Sequence, residues 1–174
     1  SMRRTNVQGV FDHNSWIGTG ASGVSLTNDI AGEQTGAPFA TVGGTNSWAS
    51  TLTFGSSAFL FFENNTWSIT GPPVEGTGID SWGGARYVVR FNTMHAQGHL
   101  THGACSTAER GVLATEAYGN VWDNTTGFNM FHWYGALRGG THIVFDNTAT
   151  NTYTSNGIQA LDYKTCHAQV GWDT

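Results

Sequence analysis

The sequence predicts an all-β fold, a single-stranded right-handed parallel β-helix (solenoid) of about six coils with an asparagine ladder and long loops. Three observations lead there. A seven-residue phrase returns five times, its asparagines standing 51, 27, 28 and 27 residues apart. Apolar residues fill the same two places in every copy. The composition favours turns and strands over helices, with 24 Gly, 24 Thr and 13 Asn in 174 residues and a single lysine, Lys164.

The first copy is Val10-Phe11-Asp12-His13-Asn14-Ser15-Trp16 and the second is Phe61-Phe62-Glu63-Asn64-Asn65-Thr66-Trp67. Residues 18–50 between them hold no clear phrase, so a long loop leaving the stack is expected there, with Thr51 to Phe54 starting the next coil. The third copy is Val88-Val89-Arg90-Phe91-Asn92-Thr93-Met94. Two weaker ones follow, Glu116-Ala117-Tyr118-Gly119-Asn120-Val121-Trp122 and Ile143-Val144-Phe145-Asp146-Asn147-Thr148-Ala149. Further long loops are expected at residues 68–84 and 95–110. The whole chain, 1–174, reads as one domain, with residues 1–6 as a tag or leader.

Three residues before each asparagine stand Phe11, Phe62, Val89, Ala117 and Val144; two after it stand Trp16, Trp67, Met94, Trp122 and Ala149. Both columns are apolar throughout and must face inward. Parallel strands stack at about 4.8 Å, so Asn14, Asn65, Asn92, Asn120 and Asn147 can bond one another up the stack at a bend that needs left-handed backbone geometry. Alternation along a strand then turns the columns four and two before each asparagine outward.

Charge and ends exclude several classes. Seven Lys and Arg against twelve Asp and Glu leave a net charge of −5, which argues against nucleic acid as a partner. No run approaches the roughly 18 apolar residues of a membrane span. Cys105 and Cys166 fall in different columns about two coils apart, too far for the roughly 7 Å between Cα atoms that a disulfide tolerates. A P-loop, a nucleotide-binding glycine motif and a nucleophile elbow are all absent.

Gly9-Val10-Phe11-Asp12-His13-Asn14, Phe62-Glu63-Asn64-Asn65-Thr66-Trp67 and Arg86-Tyr87-Val88-Val89-Arg90-Phe91-Asn92-Thr93 resemble the coil phrases of the pectate-lyase-like right-handed β-helix superfamily. The order from these phrases to His102-Gly103-Ala104-Cys105 is similar to that of poorly characterised bacterial β-helix proteins. The resemblance covers residues 7 to 150 and implies the fold; its members include lyases, glycosidases, tailspikes and adhesins, so activity has to come from a site. An extracellular or secreted setting is the expectation that goes with it. The acidic residues do not reproduce the clustered aspartates of polygalacturonases or the calcium cluster of pectate lyases: none of the seven aspartates lies within two residues of another acid.

Stacking sets Glu63 beside Arg90 with Glu116 diagonally near, and Tyr118 in the same outward column. Glu63, Arg90 and Tyr118 are therefore the expected substrate-binding group, a carboxylate and guanidinium beside an aromatic ring that would stack on a sugar. Glu116, with His102 and Arg110, is the expected catalytic group should the protein cleave an acidic polysaccharide: base, proton shuttle and oxyanion partner. A surface ion pair and turn-stabilising donors are the plainer readings of the same residues. His95, His99 and His102 have a spacing that converges on a metal only if one loop gathers them; no metal and no cofactor is expected. A polysaccharide or glycan is the expected partner. The leading function is a carbohydrate-interacting module; the alternatives are a polysaccharide lyase or glycoside hydrolase, and a structural or adhesive tailspike-like segment. Such a segment would form a homo-oligomer, or be capped by another chain, through aromatics such as Trp82, Phe128, Phe131, Trp133 and Tyr134.

Overall fold

The computed structural model describes residues 2–5, 8–18, 24–29, 53–69, 77–82, 85–95, 98–101, 114–123 and 141–150. All regular structure among them is strand. The chain runs through β1 (Met2–Thr5), β2 (Gly9–Asp12), β3 (Ser15–Gly18), β4 (Val24–Asp29), β5 (Leu60–Glu63), β6 (Thr66–Ile69) and β7 (Thr77–Trp82). It continues through β8 (Arg86–Arg90), β9 (Thr93–His95), β10 (Gly98–Thr101), β11 (Ala114–Tyr118), β12 (Val121–Asp123), β13 (Thr141–Phe145) and β14 (Thr148–Thr150). These strands form three sheets, with every pairing parallel: sheet A in the order β1-β4-β7-β10, sheet B β13-β11-β8-β5-β2 and sheet C β14-β12-β9-β6-β3. From β1 to β12 the chain thus visits A, B and C in rotation, each visit lying on the strand of the previous one, and β13 and β14 add the next strands of B and C.

The phrase marks the corner between sheets B and C. A sheet B strand ends, two residues turn, and a sheet C strand begins. The first turn residue is left-handed in every copy, at φ 54° for His13, 56° for Asn64, 56° for Phe91, 64° for Gly119 and 51° for Asp146. The second is the ladder asparagine. The left-handed residue is therefore the asparagine's neighbour, and His, Asn, Gly and Asp are among the residues that accept that conformation most readily.

Each interior asparagine saturates its amide. Asn92 Oδ1 accepts from the Asn65 backbone N–H at 2.9 Å and from Asn65 Nδ2 at 3.1 Å. Asn92 Nδ2 donates to the Phe62 carbonyl at 2.9 Å and to Asn120 Oδ1 at 3.0 Å. The same set recurs at Asn65 and Asn120, and the chain of amides runs on to the end rungs Asn14 and Asn147. Asn14 and Asn65 bond directly although 51 residues apart, so that interval is one coil with an insertion, 51 − 27 = 24 residues longer than the coil from Asn65 to Asn92.

All three sheets enclose one core. Ile79 enters from sheet A; Phe62, Tyr87, Val89 and Ala117 from sheet B; Trp67, Met94 and Trp122 from sheet C. Both inward columns behave as the alternation requires, with Phe11, Trp16 and Val144 half-buried against that cluster and Ala149 exposed on the last described strand. Equal positions on successive rungs stack their rings: Phe11 on Phe62 at 5.0 Å between centroids and Trp16 on Trp67 at 6.1 Å, with nearly parallel planes. The inner face also holds a polar pair on neighbouring rungs, Thr115 Oγ1 and His142 Nδ1 at 2.6 Å.

Several expectations need correction. β4 lies inside 18–50, β7 inside 68–84 and β10 inside 95–110, so each stretch read as loop contributes a strand. Residues 2–5 form β1, which pairs with β4. Sheet A was hidden because its strands are poor in large apolar residues and lack the asparagine landmark. Phe54 does not start a coil either. Residues 53–59 form turns, closed by the Ser56 N–H to Thr53 carbonyl and Phe59 N–H to Ser56 carbonyl bonds, and lie on the outer face of sheet B. There Phe59 joins Phe61, Val88 and Ala114 in a second apolar cluster, so the middle of the column four before the asparagine is covered while Val10 at its end stays exposed. Sheets B and C each count five strands; residues 151–174, where a sixth coil would fall, lie outside the described residues, as do Cys105 and Cys166.

Replacing one interior rung of the ladder strips partners from several buried groups at once. Asn92→Ala orphans the Asn65 N–H and the Phe62 carbonyl and is expected to cost about 3 kcal/mol, at 1–3 kcal/mol per unsatisfied buried group. Asn14→Ala, at the exposed first rung, is expected to cost less than about 1 kcal/mol. Urea midpoints of the two variants at unchanged m-value check the difference.

Candidate functional site

The column two before each asparagine runs along the outer edge of sheet B beside the ladder corner. It holds Asp12, Glu63, Arg90, Tyr118 and Phe145, set in register by the β2-β5, β5-β8, β8-β11 and β11-β13 pairings. Arg90 is its centre. Its Nε donates to Glu63 Oε2 at 2.6 Å, its Nη2 meets the same oxygen, and its Nη1 donates to the Tyr118 hydroxyl at 3.0 Å. The guanidinium lies over the Phe61 ring, 4.9 Å from the centroid, and 5.8 Å from that of Phe91. Burial pulls the Arg90 pKa down, but the bonds to Tyr118 and Glu63 outweigh it, and the guanidinium is held still more firmly protonated than usual.

Aromatic rings continue the column. Tyr118 stacks on Phe145 at 4.7 Å with the planes 11° apart, and Phe91 meets Tyr118 edge-on at 5.6 Å and 86°. Phe91 is 54% exposed and Phe145 47%. The Phe91 ring lies against Gly119: a Cβ built there would stand 2.6 Å from Phe91 Cδ1. Gly119 is thus required twice, by its left-handed φ and by the ring above it. At the other end Asp12 accepts from Asn64 Nδ2 at 2.9 Å and lies 2.7 Å from His13 Nδ1, and these two bonds, Asn64's first, hold its carboxyl below the usual carboxylate range.

The structure brings Glu63, Arg90 and Tyr118 together as the stacking argument requires. Glu116 stands elsewhere. It points out of the same sheet from the column four before the asparagine, is only 7% exposed, and accepts a hydrogen bond from the Gly55 N–H. It therefore pins the 53–59 segment to sheet B. His102 and Arg110 lie outside the described residues, as do Phe128, Phe131, Trp133 and Tyr134. His95 and His99 fall on β9 and β10, in different sheets rather than in one loop. Among the described residues no group of three or more His, Cys, Asp or Glu is gathered as a metal site. Among them, too, no helix is long and apolar enough to cross a membrane.

Phe91 is the site residue that reading the sequence alone passes over. The signal was present: the place directly before the ladder asparagine holds His, Asn, Gly and Asp in the other copies, and a bulky aromatic there stands out.

No protein-family model matches the sequence, and neither a curated protein nor a solved structure matches it significantly.

Removing the Glu116 acceptor leaves the Gly55 N–H without its partner at a largely covered position. Glu116→Leu is expected to raise amide exchange across residues 53–59 at least about tenfold while the ladder residues keep their protection. Hydrogen exchange read by mass spectrometry distinguishes this local release from global loss of stability.

Proposed function

We propose that the chain is a carbohydrate-binding module, built as one right-handed parallel β-helix of about six coils of the pectate-lyase-like kind and working outside the cell. Rotation of the chain through three parallel sheets supports the coil, and parallel crossovers within a sheet are right-handed in about 98% of cases. The ligand surface is the column of Glu63, Arg90, Tyr118 and Phe145 with Phe91 beside it. Flat rings held on a rigid sheet edge suit the apolar C–H faces of pyranose rings, and the fixed guanidinium and carboxylate suit their hydroxyls.

One observation carries this reading. A phenylalanine is kept in a left-handed conformation that costs about 1–3 kcal/mol for a residue other than glycine, yet more than half of its surface is exposed. Core packing does not account for it; a ring offered to a ligand does. The burial of Glu116 beneath residues 53–59 favours binding over glycosidic cleavage at this face.

Phe91→Asn puts a residue tolerant of left-handed geometry at the turn and removes the ring. Relief of strain and loss of the Tyr118 contact offset each other, so stability is expected to stay within about 1 kcal/mol. On a glycan array of neutral and acidic polysaccharides the wild-type chain is expected to be retained and Phe91→Asn to bind at least about tenfold more weakly. Equal retention of both proteins, or retention of neither on any glycan, defeats the reading.

A further inference from the structure

Across the ladder corner lies a second outward column. The third position after each asparagine follows the inward Trp67, Met94 and Trp122 and so faces out of sheet C. On successive rungs it holds Ser68, His95 and Asp123, paired in register Ser68↔His95 and His95↔Asp123, with Thr150 opposite Asp123 on the next rung. His95 Nδ1 lies 3.3 Å from Asp123 Oδ2, and Thr150 Oγ1 donates to Asp123 Oδ1 at 3.2 Å. The Asp123 side chain is 16% exposed and that of His95 37%; Ser68 is half-buried.

We propose that Ser68, His95 and Asp123 form a nucleophile, general base and orienting carboxylate that hydrolyse carboxylic esters. A serine hydroxyl is a weak nucleophile until a neighbouring base takes its proton, and an imidazole serves best when a carboxylate fixes its tautomer. Asp123 holds the proton on His95 Nδ1 from one neighbouring rung. Nε2 is the nitrogen left for the opposite side, where the register sets Ser68 one strand spacing, about 4.8 Å, away. The serine hydroxyl lies on the strand that faces the imidazole, and bonds of this kind are often long before substrate binds. Thr150 is a positioning residue, acting through Asp123.

The chemistry balances with water as the only co-reactant. Ser68 Oγ adds to the ester carbonyl carbon while His95 Nε2 takes the hydroxyl proton. The bond from that carbon to the alcohol oxygen then breaks, and the alcohol leaves with the proton from His95. Water adds to the acyl-serine as His95 takes one of its protons; the bond to Oγ breaks, the carboxylic acid departs and Ser68 regains its proton.

The inference stands independently of glycan binding, and its test reads different residues. The full chain is incubated with para-nitrophenyl acetate and, separately, with a fluorophosphonate probe, and adducts are mapped by mass spectrometry. One adduct per chain on Ser68 is expected, with ester turnover that falls at least about 100-fold in Ser68→Ala and in Asp123→Asn. Ser68→Ala removes one hydroxyl from a half-buried position, and an unchanged urea midpoint shows that its fold is intact. Absence of the Ser68 adduct, or ester hydrolysis that persists in Ser68→Ala, overturns the proposal and leaves the column a polar ladder on the sheet surface.

Discussion

The amide of the ladder asparagine is the constraint on which the rest of the structure rests. Each interior one accepts two hydrogen bonds and donates two, all to neighbouring rungs, so a buried polar group becomes a connector with nothing unsatisfied. Two of those bonds go to backbone groups at the corner between sheets B and C, where sheet pairing is interrupted. The ladder thereby takes over where the strands stop. It also fixes register. Sliding one coil by a residue would break the amide chain and turn every inward ring outward.

Fixed register is what assembles chemistry from distant sequence. Glu63, Arg90 and Tyr118 lie one coil apart from one another, as do Ser68, His95 and Asp123, and each trio becomes a contiguous column because the asparagines between them are stacked. The columns flank the same corner, one at the end of sheet B and the other at the end of sheet C. Inward positions hold residues that fill the core or, like Thr115 and His142, bond one another across rungs. Outward positions are free to vary, and there charge, hydroxyl and imidazole collect. The covered patch under residues 53–59 marks the exception, since Phe61 and Val88 face outward yet are buried by chain inserted between β4 and β5.

The parts of this arrangement legible in the sequence were those carried by repetition. The ladder, both inward columns and the meeting of Glu63, Arg90 and Tyr118 follow from five phrases and the pleat of a strand. Sheet A was not legible. Its strands, such as Gly98-His99-Leu100-Thr101, carry too few large apolar residues to show a period, and no asparagine tells where they start. The cover over Glu116 was equally invisible, for a turn that packs on the outside of a sheet has no periodic mark. Outwardness was readable; exposure was not. Ser68, His95 and Asp123 fall in one outward column, three places after the ladder asparagine, and follow from the same repeat and pleat.

Phe91 shows how the scaffold accommodates an unfavourable residue at its corner. Its turn is gripped on both sides: the Phe91 N–H donates to the Tyr118 carbonyl, and Asn92 is tied to Asn120 on one rung and to Asn65 and Phe62 on the other. Those bonds over-determine the backbone, so the left-handed φ persists whichever side chain is attached, and an unfavourable residue costs stability without changing the path of the chain. On the next rung the equivalent position is Gly119, which leaves the space that the Phe91 ring fills. A strained aromatic above a glycine, edge-on to Tyr118 and beside a tethered guanidinium, is a pair of linked choices in adjacent coils. Neither choice improves the core, and both shape the same exposed surface, which is why that surface is where a ligand is to be sought.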